Sequence, residues 1–244
     1  MNYISLGYFC SVAIELEKLG LRSESSPFDW TIADFKGVIA AIEDNFSGFM
    51  DYEYLLQSGE YREIYLNSRY NIKFFHDFDM YRPLGVQLPE VRRKYDRRIE
   101  RFYKSICEPT LFVRYISDIQ KVDGKSAELI WIEDNYEKVI SLLKSFNREN
   151  DILFIANDGV VSDKIVIYNV EKDEGDSVAR SPIHKSSQLF SLFSGFDHKD
   201  KQANIERYNK KQKKKRSIYN RIKRKAIPLF KKTFCKVYTH EHMY

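Results

Sequence analysis

Cys10 and His76 are the residues best suited to covalent chemistry. A cysteine nucleophile needs a base and a group that orients the base, and the three meet in space rather than in sequence. Cys10 follows Tyr3-Ile4-Ser5-Leu6-Gly7, an apolar-rich run that reads as a strand leaving into a turn. Beyond it, Val12, Ala13, Leu16 and Leu19 recur at helical spacing up to Gly20, a good stop. Cys10 or Ser11 therefore opens a helix directly after a strand. Unpaired backbone N–H groups and the positive end of the helix dipole gather there. A thiol in that place is expected to ionise early, and the same N–H groups can steady an oxyanion. The plainer reading is a small residue filling a tight strand–helix turn. His76 is the best base of five histidines, because His184, His198, His240 and His242 fall in loop or tail. As a strand-end histidine it would instead bond a backbone carbonyl.

Several acids compete to orient His76. Asp77 is its neighbour, but strand neighbours point to opposite faces, so Asp77 serves only if the strand has already ended. Asp29, held between Phe28 and Trp30, and Asn157-Asp158 after a later strand are the alternatives. Asp29 equally suits a turn that it closes through its own backbone bonds. Arg98 and Arg101, three apart on one helix face, and Arg114, within an apolar run, are candidate anion-binding residues. Trp30 would flank the same substrate site. A buried Arg114 needs an anionic partner from protein or ligand. Gly7-x-x-Cys10 lacks the glycine run and Lys-Ser/Thr ending of a phosphate loop. Cys10, Cys107 and Cys235 are too far apart for a disulfide framework or a metal pattern, so neither metal nor cofactor is expected.

The elements that must position these residues alternate. Phe35, Val38, Ile39, Ile42 and Phe46 predict a helix capped by Asp34, and Gly48 closes it. Asp51 to Gln57 reads as a short helix, and Tyr61–Tyr65 and Tyr70–Phe75 as β-prone runs. The clearest helix spans residues 89 to 107, with Pro89 in its first turn. Leu111–Ile116 is a buried-type strand, and Leu129–Ile132 reads as another or as a strand-like link. Tyr136, Val139, Ile140, Leu143 and Phe146 mark a helix. Asp151–Ala156 and Lys164–Val170 are strands joined by a turn at Asn157-Asp158-Gly159. Gln188–Phe193 is a short helix. This alternation predicts an α/β domain with a mostly parallel central sheet flanked by helices.

Ser5-Leu6-Gly7-x-x-Cys10, Arg22 and Ser26-Pro27-Phe28-Asp29-Trp30 together resemble the opening signature of the DUF1796 family, described as papain-like cysteine peptidases. Phe75-His76-Asp77, Arg97-Arg98-x-x-Arg101-Phe102 and Leu111-Phe112-Val113-Arg114 extend the resemblance, over roughly residues 3 to 170. It implies a thiol hydrolase or acyl transferase in which Cys10 is the nucleophile and His76 the base, in papain-like order. It also implies an α+β alternative to the parallel sheet, because the papain sheet is largely antiparallel.

Composition adds the partners. The 244 residues are 43% hydrophobic with 17 Phe and 17 Tyr, enough for a sizeable core. The net charge of +5 hides an asymmetry. Residues 199 to 232 hold 15 Lys and Arg against Asp200 and Glu206, a net of +13, which leaves 25 basic and 33 acidic residues elsewhere, a net of −8. Residues 1–197 thus read as the catalytic-like body and 198–244 as a basic amphipathic tail. Residues 199–238, with Leu229, Phe230 and Phe234 among the charges, suit an anionic membrane surface better than nucleic acid. The expected location is cytoplasmic, at the inner face of a membrane. A second function class follows: a non-peptidase protein that binds an anion or sugar phosphate at that surface, with Cys10 structural.

Overall fold

The computed structural model describes residues 1–238, with side-chain surroundings given as far as Tyr219. The chain runs β1 (Asn2–Ser5), α1 (Cys10–Lys18), β2 (Thr31–Ala33), α2 (Phe35–Glu43), β3 (Leu55–Gln57), β4 (Tyr65–Asn67), β5 (Ile72–Phe74), α3 (Leu84–Ile106) and β6 (Thr110–Tyr115). It continues through β7 (Lys121–Val122), β8 (Lys125–Ser126), α4 (Ala127–Phe146), β9 (Asp151–Asn157), β10 (Ile167–Val170), α5 (Pro182–Lys185), α6 (Ser187–Gly195) and α7 (Lys201–Tyr238).

The main sheet has the order β1-β6-β9-β10, and every pairing in it is parallel. Its strands are apolar at successive positions because both faces are covered. Phe112, Ile152 and Phe154 enter the core shared with α2, α3 and α4. Val113, Tyr115, Leu153 and Ile155 enter the core on the opposite face, with α1 and the α5–α6 region. This is the expected α/β architecture. The antiparallel character that the family resemblance implies is found outside the main sheet, in a second four-stranded sheet of short strands, β2-β5-β4-β3, and in the β7-β8 ribbon. Parallel strands gather their carboxyl ends on one edge, where α/β proteins place their ligands. Here that edge carries the turn from Leu6 to Cys10 and the segments after Tyr115 and Asn157.

Three local expectations fail for physical reasons. Leu129–Ile132 lies inside α4, because Ser126 caps that helix by accepting from the Leu129 N–H at 3.1 Å. Pro89 lies inside α3, which opens five residues earlier, after Pro83. The segment from Asp51 makes a single 3₁₀ turn (Tyr52–Tyr54) and then β3. Asn157-Asp158-Gly159 does turn the chain after β9, and since β9 and β10 run parallel it opens a crossover and not a hairpin. The Asn169 amide clamps that loop by donating to the Asn157 and Val160 carbonyls at 3.0 and 2.8 Å.

The basic tail begins as part of the body. Gly20 (φ +72°) ends the turn after α1, and a Cβ there would stand 2.3 Å from the Lys201 carbonyl oxygen. Buried Asn204 donates to the Gly20 carbonyl at 3.1 Å, and Lys211 reaches Glu17 at 2.9 Å. From Lys213 to Tyr219 every side chain is exposed. The side chains of Leu229, Phe230 and Phe234, expected to meet lipid, lie outside the described residues. Gly20→Ala should therefore lower the stability of the whole body, by about 1–2 kcal/mol for the left-handed backbone alone, with the clash in addition. Thermal melts check this. Deleting residues 220–244 should leave Tm unchanged, whereas deleting 199–244 should lower it.

Candidate functional site

Cys10 is the first residue of α1 and is half-buried. Phe9, in extended conformation, precedes it and makes no side-chain cap, so the first-turn N–H groups receive no side-chain acceptor from that residue. The turn that delivers Cys10 depends on Gly7 (φ +79°), which is wedged among Arg114, the Phe28 carbonyl and Ala33. A Cβ there would come within 3.3 Å of the Arg114 guanidinium. The early ionisation expected at a helix start is not found. Burial pushes the Cys10 thiol up, and its backbone hydrogen bond offsets only part of that. Next to it, the Ser11 hydroxyl is buried without a partner among the described residues.

Arg114 is not available to a substrate. It is fully buried on β6 and its anionic partner is Glu128 of α4. Nε donates to Oε1 at 2.9 Å and Nη2 to Oε2 at 2.6 Å, a bidentate fork. Nη1 donates to the Leu6 carbonyl and Nη2 to the Ala33 carbonyl, both at 2.8 Å. Burial pushes the Glu128 carboxyl up while the guanidinium pulls it back. Sequence reading required an anion for Arg114 but missed Glu128. Nothing in the sequence marks it, because residues 129–132 read as strand and the helix as starting near Tyr136.

Asp29 is fully buried and accepts from the Arg22 guanidinium and from the Ser26 N–H at 2.8 Å. It closes its own turn, the plainer of its two readings. Burial pushes its carboxyl up, opposed by Arg22 and Arg98. Arg22 also lies over Trp30, 5.9 Å from the ring centre, and the Trp30 and His76 rings meet edge to face at 6.4 Å. Trp30 and His76 are thus together. Asp77 turns away from His76 toward α3, where it binds Lys94 and accepts from the Tyr95 hydroxyl at 2.8 Å. Among the described residues, no hydrogen bond links His76 to Asp77, Asp29 or Cys10. His76 is exposed and lines a hollow of about 330 Å³ with Arg82, Glu90, Lys94 and Arg97, a wall that does not include Cys10.

Arg98 packs over Tyr95 at 4.9 Å, and its buried Nη1 has no hydrogen-bond partner among the described residues. Arg101 forms a partly exposed pair with Glu24 at 3.0 Å. Among the described residues, the histidine that does meet a carboxylate is His184. Its Nδ1 lies 2.5 Å from Glu15 Oε1, and fully buried Glu15 also accepts from the His184 N–H at 3.1 Å. That pair joins α5 to the helix that Cys10 opens. It was illegible in sequence because 169 residues separate the partners. No three metal-ligand side chains gather among the described residues, and no helix among them is long and apolar enough to cross a membrane.

Residues 1–156 match the family model described as "Putative papain-like cysteine peptidase (DUF1796)". The chain is also similar to "Uncharacterized protein R408" of Acanthamoeba polyphaga mimivirus. The two are 30% identical over 176 residues, which cover 64% of this chain and 77% of the relative. No solved structure matches.

The raised Cys10 thiol sets a pH dependence. The reactive thiolate fraction grows as pH rises, so alkylation of the free protein should keep accelerating above the ordinary thiol pKa of about 8.5. At neutral pH exposed Cys107 should label before Cys10. Mass-spectrometric labelling of the two peptides between pH 6 and 10 checks both statements. Rapid Cys10 labelling at pH 6 would show a preformed thiolate instead.

Proposed function

We propose, for a chain that belongs to the DUF1796 family, a thiol-dependent hydrolase or acyl transferase with Cys10 as nucleophile and His76 as general base. The observation that carries this reading is the place of Cys10, first in α1 and directly beyond the carboxyl end of a parallel strand. N–H groups of the first turn are suited to receive the oxygen of an attacked carbonyl. Burial pushes the thiol up, which gives a general base a proton to take as the sulfur attacks. His76 is exposed on the loop after β5, beside Trp30, and it makes no hydrogen bond among the described residues, which suits a base that turns toward a bound ester. Asp29, Arg98 and Arg101 support this site through the loop that carries Trp30 rather than by touching the thiol. Activated esters and thioesters are the test substrates. Cys10→Ala should abolish turnover and the covalent acyl-enzyme seen by intact mass. His76→Gln should slow turnover by about 10²–10⁴-fold, the usual share of a general base, with Tm unchanged. Equal turnover in Cys10→Ala would remove the nucleophile, and equal turnover in His76→Gln would remove only the base.

A second reading concerns place rather than chemistry, and one observation favours it. Lys213, Lys214, Lys215 and Arg216 are consecutive and exposed on α7, beyond its contact with the body, and are followed by exposed Ile218 and Tyr219. A basic helix of that kind suits the anionic inner face of a membrane. Each basic residue near such a surface contributes on the order of 1 kcal/mol, screened within a Debye length. Changing the four residues to Gln should therefore release the protein from phosphatidylserine vesicles in a sedimentation assay, and salt should do the same. Unchanged binding by the four-Gln variant would refute this surface.

A further inference from the structure

A cleft of about 400 Å³ opens at the carboxyl edge of the main sheet, between β2, β5 and the start of α4. Tyr8, in the turn that leads to Cys10, forms part of its wall. Lys73 on β5, opposite Ile32 of β2, and Lys36 in the first turn of α2 both line it. Both lysines are exposed, and neither pairs with a carboxylate among the described residues. Two ammonium groups that share one hollow favour a compact anion placed between them.

The rest of the wall restricts what that anion belongs to. Trp131 of α4 is half-buried, with its ring packed edge-on against Phe35 at 5.9 Å, and it contributes an aromatic wall to the hollow. Asn71 and Ser117 add neutral donors and acceptors. Asp34 is exposed on the same wall. Its carboxylate repels a second anionic group but accepts well from a hydroxyl. Glu128 is already held by Arg114 and adds no free charge. The volume is that of a small-molecule site.

We propose that this cleft binds a phosphate ester carried on a ring, with the phosphate between Lys36 and Lys73 and the ring against Trp131. A sugar phosphate and a nucleotide share that chemistry. The proposal goes beyond the Cys10 reading and does not depend on it, since binding is measured without turnover.

Isothermal titration of the full-length protein with glucose 1-phosphate, AMP, inorganic phosphate and glucose tests it. At least one ester should bind more tightly than both phosphate and glucose, and the preferred ester identifies the ring. Lys36→Gln combined with Lys73→Gln should weaken that ester by at least about tenfold, the loss expected for charge-assisted hydrogen bonds. Lys36→Arg should retain most of the affinity. Both lysines are exposed, so Tm should not move in these variants. Trp131→Leu should lower affinity for the ester but not for inorganic phosphate. The proposal is overturned if neither ester binds, if the esters bind no better than inorganic phosphate, or if the double Gln variant binds them as the parent does.

Discussion

The buried Arg114–Glu128 pair holds together the part of the molecule on which any chemistry depends. Four donor contacts from one guanidinium join the end of β1, the end of β2 and the start of α4 to the middle of the main sheet. Without Arg114, the Leu6 and Ala33 carbonyls would be buried with no donor from that side chain. Without Glu128, a full positive charge would stand in a core formed by Phe35 and Tyr8. Breaking such a pair costs about 3–5 kcal/mol, a large share of a domain's usual 5–15 kcal/mol. The same guanidinium packs against Gly7. It thereby fixes the turn that sets Cys10 at the head of α1.

The parallel sheet was legible because a strand buried on both faces leaves a continuous apolar run, and Leu111–Ile116 and Asp151–Ala156 have one. Arg114 stood out for the same reason, as the one charge in such a run. What it bonds could not be read, since nothing in the sequence marks Glu128. The partners of Asp77 illustrate a second limit. Tyr95 and Lys94 were visible as members of a helix, but which face of α3 meets the loop after β5 is a tertiary fact. Leu129–Ile132 misled because a short apolar run suits strand and helix alike. Ser126, which accepts from the Leu129 N–H, is the cap that decides between them.

The head of α1 shows two effects of opposite sign acting on one thiol. Position after a strand gives Cys10 the N-terminal N–H groups, which favour a thiolate. Enclosure beside Tyr8 and the sheet edge removes water, which disfavours it. In the resting protein the second effect is larger. A helix-start motif therefore identifies where a nucleophile can stand without fixing its protonation state. That state depends on packing, which a motif does not contain.

Charge is also distributed by depth rather than by segment. The buried arginines of the body, Arg22, Arg98 and Arg114, all sit near buried carboxylates or an aromatic face. The lysines of α7 are split. Lys201 and Lys211 are joined to the body, with Lys201 Nζ donating to the Ser194 carbonyl at 3.1 Å and Lys211 pairing with Glu17, whereas the run from Lys213 stands free. A boundary drawn from charge alone falls at residue 198, where basic residues begin. A boundary drawn from burial falls about a dozen residues later, where α7 leaves α1. Packing decides which of these residues the fold needs, and among the described residues the exposed run from Lys213 to Tyr219 is the part that the body does not hold.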